Sequence, residues 1–331
     1  MPPRDLPTID RPPCERAQQP VSETDTRRLT ARRVAPLLSL VIFLVALFVL
    51  SRQLAELDTG ALMNRLGQTT LVEVAMALGL TMASFLVLSG YDLLALGQIG
   101  VRLPYRTVLS TSFQSYAFTN AIGFAVITGG SVRFRHYTEA GLRAMQVASI
   151  QLICVLTYVI GAATVVGIAL VVDPPQVIGV AAPVARLIGC ALLAAAALYI
   201  AACAILRRPF RIGRWRGRLP SAVFGIRQIG LVVLDLTIAG LIPYVLLTGE
   251  AGVSPLEFLG AYVVAITVGV ASNVPGGLGV FESAMVLLLP SLADSTLLAS
   301  LLAFRVVYFL LPAGLAALLL IGQEWLRHRR R

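Results

Sequence analysis

Ser272-Asn273-Val274-Pro275-Gly276-Gly277-Leu278-Gly279-Val280-Phe281-Glu282 interrupts one apolar run of this chain. Thr119-Asn120-Ala121-Ile122-Gly123, continuing to Thr128-Gly129-Gly130-Ser131-Val132-Arg133, interrupts another. Pro275 removes a backbone donor, and Gly276 and Gly277 permit backbone angles that other residues resist. Lipid cannot hydrogen-bond to backbone, so a broken helix at membrane depth survives only where protein or a polar cavity satisfies it. Two such breaks, one in each half, predict a site at the centre of a membrane bundle, suited to binding or moving something polar.

The surrounding composition makes the membrane reading firm. Of 331 residues, 57% are hydrophobic and 13% charged, with a mean hydropathy of +0.82. A soluble domain carries about 25% charged residues. Segments such as Leu37 to Leu50 and Ile188 to Leu206 also lack a polar face. The net charge of +10 does not imply nucleic acid, because the basic residues follow the ends of apolar segments. All 27 of them are arginine. Cys14, Cys154, Cys190 and Cys203 have neither disulfide nor metal-site spacing, and no cofactor is expected. No glycine-rich phosphate loop of an ATPase is present, and lysine is absent.

The fold class is therefore all-α, a polytopic membrane bundle of about six to eight spanning helices with one or two re-entrant or broken helical hairpins. Residues 1–33, with seven arginines and five acids, read as a disordered cytoplasmic tail. Residues 34–323 form the membrane domain and 324–331 a basic cytoplasmic tail. Spans are expected at about 34–51, 70–90, 144–172, 184–206, 221–248 and 296–322. The connections alternate between a basic group (Arg102 and Arg106; Arg133 to Arg143; Arg207 to Arg218; Arg327 to Arg331) and an acidic one (Glu56 and Asp58; Asp173; Glu250 and Glu257; Asp294). That pattern places both termini in the cytoplasm. Residues 107–127 lie between two basic connections, so a re-entrant hairpin is expected there. Residues 257–290 pose the mirror problem, with either a second hairpin or a helix completed by irregular backbone. Inverted pseudo-symmetry between the halves would suit alternating access.

Several polar side chains sit where lipid would penalise them. Asn120 and Asn273 are the turn candidates, able to cap a half-helix or contact a headgroup. Arg133 and Arg135 follow Gly129-Gly130, and guanidinium groups suit phosphate as well as topology anchoring. Asp235, Glu282 and Arg305 are charges inside or beside apolar segments, so each should face a cavity, a partner or the interface. Glu282 and Arg305 are positioned to pair, or to meet substrate. Tyr91-Asp92 is expected to end its helix, with Asp92 pairing with Arg102, Arg133 or Arg135. Gln114, Thr119 and Tyr308 add polarity around the breaks, with Gly276 and Gly277 forming the second turn.

Ser89-Gly90-Tyr91-Asp92, Leu103-Pro104-Tyr105-Arg106, Phe118-Thr119-Asn120, Thr128 to Arg133 and Val274 to Glu282, taken in order, resemble the lysylphosphatidylglycerol synthase transmembrane family. The likeness is to the N-terminal flippase domain of bacterial multiple peptide resistance factors and covers roughly residues 35–323. The resemblance implies translocation of aminoacylated phosphatidylglycerol across the bacterial cytoplasmic membrane, which reduces attraction of cationic antimicrobial peptides. It places Asn120, Arg133, Asn273, Glu282 and Arg305 along the lipid route. The chain ends at Arg331, with no room for the acyltransferase-like domain, so the expectation is a translocase relative or fragment and not a synthase. Expected partners are an anionic or aminoacylated phospholipid, a separate lipid-modifying synthase and a second copy of the chain. Two other readings stay open: a small-solute secondary transporter with an occluded chamber, and a non-transporting scaffold with its breaks packed closed and Arg133 and Glu282 satisfied internally.

Overall fold

A computed structural model describes residues 70–172, 174, 181–205, 210–212, 215–217, 220–247, 252–272, 274–292 and 295–329. The expected first span at 34–51, the N-terminal tail, Asn273 and the last two residues lie outside them. The described residues form helices α1 (Leu71–Gln98), α2 (Tyr105–Ile122), α3 (Thr128–Glu139), α4 (Ala144–Val172) and α5 (Ala182–Ile205). A small antiparallel ladder follows, β1 (Phe210–Ile212) against β2 (Trp215–Gly217). Then come α6 (Ala222–Leu246), α7 (Pro255–Ala271), a 3-10 turn (Pro275–Gly277) and α8 (Val280–Leu288). The last long helix comprises α9 (Ser295–Phe304), a π-helical stretch (Arg305–Leu310) and α10 (Leu311–Arg329).

Five of these helical segments are long and apolar enough to cross a membrane: Leu71–Gln98, Ala144–Val172, Ala182–Ile205, Ala222–Leu246 and Thr296–Trp325. They match five of the six expected spans, and the protein is a multi-pass membrane helix bundle. Its side chains are sorted for lipid. On α5 the buried positions are Ala185, Gly189, Ala196 and Cys203, whereas Leu187 and Leu198 are about 70% exposed. Small residues line the helix contacts because apolar side chains gain nothing by leaving lipid, so close backbone approach must supply the attraction. A Cβ on Gly161 of α4 would come within 2.3 Å of Val232 on α6. One on Gly90 of α1 would meet Leu231 of α6 at 2.9 Å. α6 is thereby held close to both α1 and α4.

Helix ends follow from local chemistry. Thr70 and Glu73 form a reciprocal capping box at the start of α1. Ser254 caps α7, with Pro255 in the first turn, where its missing N–H costs nothing. The expected end of α1 at Tyr91-Asp92 is corrected. The apolar run Leu93 to Leu96 carries the helix on to Gln98, and Gly100, at φ 72°, closes it. Bonds from the Gly100 and Val101 N–H groups to Gly97 and Leu96 carbonyls satisfy the last turn. Tyr91 and Asp92 therefore lie inside the helix, 1% and 0% exposed.

The two breaks fold as helical hairpins. α2 and α3 pack side by side around the turn at residues 123–127, and α7 and α8 do so around the 3-10 turn. By rise per residue α3 is about 18 Å long and α8 about 14 Å, both short of a bilayer core of about 30 Å. Connections between successive helices are short, so the chain order fixes which end each hairpin enters. α1 ends, α2 begins, α3 ends and α4 begins at one end of the bundle. α6 ends, α7 begins, α8 ends and α9 begins at the other. Arg135 of α3 accordingly pairs with Glu324 near the end of α10, which returns to the first end. The hairpins enter from opposite ends, and α2 packs on the Pro275–Gly277 turn between them.

Candidate functional site

The first hairpin is tied to the bundle by a buried ion pair. Arg133 is 2% exposed and Asp92 0%. Its Nε donates to Asp92 Oδ1 and its Nη2 to Asp92 Oδ2, both at 2.8 Å, the two-pronged geometry that suits a carboxylate. Nη1 donates to Gln151 Oε1 at 2.8 Å. Tyr137 donates its hydroxyl to Asp92 Oδ1 at 2.8 Å, and the Tyr116 ring lies 4.6 Å from the guanidinium carbon. The Gln151 amide also donates to the Ala125 carbonyl in the hairpin turn. Four elements, α1, α2, α3 and α4, thus converge on one charge pair. Of the three partners expected for Asp92, the structure selects Arg133. Arg135 pairs instead with Glu139 at 3.7 Å and with Glu324.

Within that hairpin α2 and α3 touch closely. A Cβ on Gly129 would stand 2.5 Å from Thr119 Oγ1 and 2.7 Å from Ser115 Oγ, so only glycine fits. Ser115 donates to the Gly129 carbonyl at 3.0 Å. Gly130 has more room, with Gln151 at 3.7 Å. Asn120 is not in the turn: α2 runs through it to Ile122, and the chain turns at Gly123, at φ 81°. A glycine can take that angle and asparagine need not. From the last turn of α2 the Asn120 side chain approaches the Tyr308 hydroxyl. Gln114, fully buried, donates to Ser110 at 3.0 Å, and its Oε1 has no partner.

The second hairpin is held by Arg305. Its Nε donates to Glu282 Oε1 at 2.5 Å, and its Nη1 to the Gly276 carbonyl at 3.0 Å. The remaining nitrogen, Nη2, is buried with no hydrogen-bond partner among the described residues. Glu282 also accepts the Gly279 N–H at 2.9 Å, closing the start of α8. Gly276, Gly277 and Gly279 all have positive φ, and Gly277 packs on the Gly269 backbone, 3.5 Å from where a Cβ would sit. Arg305 and Tyr308 lie on the π-helical stretch, a local widening that recurs at functional sites.

Asp235 forms a third polar centre. It is 4% exposed, accepting from Ser84 and from Tyr91, each at 3.0 Å. Ser84 is also 3.0 Å from the Tyr308 hydroxyl, so Asp235, Ser84 and Tyr308 form a continuous chain, with the Asn120 side chain beside its Tyr308 end. That chain links α6, α1 and the π-helical stretch.

The structure therefore joins Glu282 to Arg305 and Gly276, joins Asp235 to Tyr308 through Ser84 with Asn120 alongside, and sets Arg133 apart in its own cluster with Asp92. Sequence reading missed Ser84, Gln151, Tyr116 and Tyr137. Gln151 carried a signal, as an amide inside an apolar span; so did Gln228, which takes a bond from Tyr199 at 2.7 Å and gives one to Thr157 at 2.6 Å. Among the described residues no group of acids, histidines and cysteines could hold a metal.

Comparison with known proteins agrees with this architecture. The chain is 38% identical to the uncharacterized protein slr0712 of Synechocystis over 262 residues, 78% of this chain and 81% of that protein. It is 29% identical to the inner membrane protein YbhN of Escherichia coli over 302 residues, 89% of this chain and 93% of that one. The model of the family described as lysylphosphatidylglycerol synthase TM region matches residues 37–316, spanning both hairpins and all three polar centres, and the chain belongs to that family.

Proposed function

We propose that this protein moves a phospholipid, anionic or aminoacylated phosphatidylglycerol in the first instance, between the leaflets of a bacterial cytoplasmic membrane, with both chain ends in the cytoplasm. The observation that carries this reading is Arg305. A guanidinium buried at the junction of two hairpins, with Nη2 unspent, is an incomplete receptor for an oxyanion. A headgroup phosphate would take Nη2 and compete with Glu282 for Nε. Release of Glu282 Oε1 from Arg305 would leave the start of α8 held only by the local bond from the Gly279 N–H to Oε2, so binding and movement of the second hairpin are linked. Asn120, Gln114 and Tyr308 supply neutral polar surface beside it. The family is consistent with a membrane lipid role. The protein moves the lipid and leaves its synthesis to a separate enzyme; a second copy of the chain is a further partner.

One observation favours the scaffold reading instead: Arg133 and Glu282 are both satisfied within the protein. A leaflet-resolved assay in proteoliposomes separates the two, using fluorescent phosphatidylglycerol with and without an aminoacyl group. Translocation predicts protein-dependent transfer that Arg305→Gln abolishes in a protein that remains folded. A scaffold predicts transfer no faster than in protein-free vesicles.

A further inference from the structure

We propose that Asp235 is a proton-binding site that couples this movement to a transmembrane proton gradient, an inference resting on the translocation reading above. The case begins with what surrounds the carboxyl. Asp235 lies in the middle of α6, within a span, and is 4% exposed. Among the described residues the titratable groups around it are all phenols: Tyr91 from α1, Tyr158 from α4, Tyr262 from α7 and Tyr308 from the π-helical stretch. α9 carries no titratable residue. Tyr199 of α5 is committed to Gln228, two turns before Asp235 on α6. Among the described residues, the ion pairs of the bundle engage Asp92, Glu139, Glu324 and Glu282, and none engages Asp235.

Asp92 and Asp235 are thus two carboxyls buried in one bundle with opposite solutions. Asp92 has a guanidinium clamped to it; among the described residues Asp235 has only hydroxyls. An uncompensated carboxylate at membrane depth is costly, and the neutral acid is the form that the site accommodates without a counter-charge. Close contacts at Gly90 and Gly161 pack the neighbouring Leu231 and Val232 against α1 and α4, which keeps water away from this part of α6. Charging the site therefore requires a conformation that admits water, and discharging it favours closure.

The hydrogen-bond chain supplies the link to the hairpins. With Asp235 ionised, Ser84 donates to Oδ1, and its single proton being spent, Tyr308 must donate to Ser84. The Tyr308 oxygen is then open to the Asn120 amide beside it. When a proton from water forms an O–H bond on Oδ1, the order reverses. Asp235 donates to Ser84, Ser84 to Tyr308, and Tyr308 must turn its own O–H toward an acceptor, the Asn120 carbonyl oxygen after an amide flip. One bound proton thus reverses the polarity of a bond at the tip of the first hairpin, three residues along the π-helical stretch from the arginine that holds the second. On release the O–H bond breaks and the proton leaves to water on the other side. No electrons move.

The test uses the full chain in vesicles containing fluorescent phosphatidylglycerol, with the membrane potential clamped and a pH difference of about one unit imposed. One proton per lipid limits the leaflet ratio to about tenfold, since one pH unit is 1.36 kcal/mol. The expected result is a shift toward that limit, lost in Asp235→Asn and partly regained in Asp235→Glu. An unchanged ratio in the wild type overturns the coupling while leaving translocation standing. So does a shift that follows a sodium gradient instead, or one that survives Asp235→Asn. If no lipid moves at all, the translocation reading fails separately. Infrared spectroscopy then decides the site: a protonated-carboxyl band that titrates in the wild type and is missing from Asp235→Asn supports it, and its absence from the wild type overturns it. Should Asp235→Asn not fold, Ser84→Ala cuts the chain while keeping the acid. It must lose the pH-driven shift and keep the infrared band, and a retained shift overturns the relay.

Discussion

The two hairpins enter the bundle from opposite ends and are each secured by one arginine, yet the arginines are spent differently. Arg133 uses all three nitrogens, on Asp92 and Gln151, with an aromatic ring over its face. Arg305 uses two, one of them on a backbone carbonyl in a turn built of glycines. A closed network fixes a geometry, because every rearrangement strands a buried charge. An open one tolerates exchange of partners. Under the proposed translocation, the difference makes the first hairpin the fixed wall and the second the moving part.

The comparison breaks most readily at Asp92. Removing one partner of a buried pair leaves the other uncompensated, at a cost of about 3–5 kcal/mol. Asp92→Asn and Arg133→Leu should each lower stability by that order in a reversible detergent-unfolding titration, and the double variant should recover part of the loss. A cost near zero for either single change would remove the first hairpin from the role of fixed wall. Glu282→Gln should cost less, about 1–3 kcal/mol, because Glu282 is 16% exposed where Asp92 is fully buried, so less desolvation is at stake. Its larger signature should be kinetic: lipid transfer altered severalfold in the proteoliposome assay, from a variant more stable than Asp92→Asn. Equal stability losses at the two sites would erase the distinction.

Much of this was legible in the sequence because lipid imposes strict rules. Span positions follow from apolar length, and the hairpins from Pro275, the glycines and the placement of arginine. The Glu282–Arg305 pair was legible as two charges with nowhere else to go. What the sequence hid was third-partner chemistry. Asp92 looked terminal because a charge usually marks a helix end, whereas the Arg133 side chain, delivered by the returning α3, stabilises it two turns inside. Asn120 looked like a turn residue because amides favour turns, but Gly123 serves there and Asn120 is free to approach Tyr308. Ser84 gave no signal at all: a lone serine in an apolar span normally bonds its own helix, and only the approach of α6 turns it to Asp235.

The turns themselves should differ next. Gly277, at φ 61° against the Gly269 backbone, should lose about 1–2 kcal/mol on Gly277→Ala from the left-handed angle alone. If the second hairpin moves, this variant should also slow transfer by more than its stability loss explains, measured on protein of matched folded fraction.

The smallest effect is expected at the first turn, and it runs the other way. Phe124 has φ 50°, the only residue other than glycine with positive φ among those described, and is 48% exposed. An L side chain at that angle costs about 1–2 kcal/mol. Phe124→Gly would relieve it, while the freer unfolded chain takes back about 0.4–1 kcal/mol. The net should be a stabilisation of at most about 1 kcal/mol in the same unfolding titration. A fixed wall accepts such strain because the Asp92–Arg133 network and the Gln151 bond to Ala125 hold the turn whatever its own preference. A loss of stability on Phe124→Gly would instead mean that the aromatic ring anchors the turn in lipid and that the network alone does not hold it.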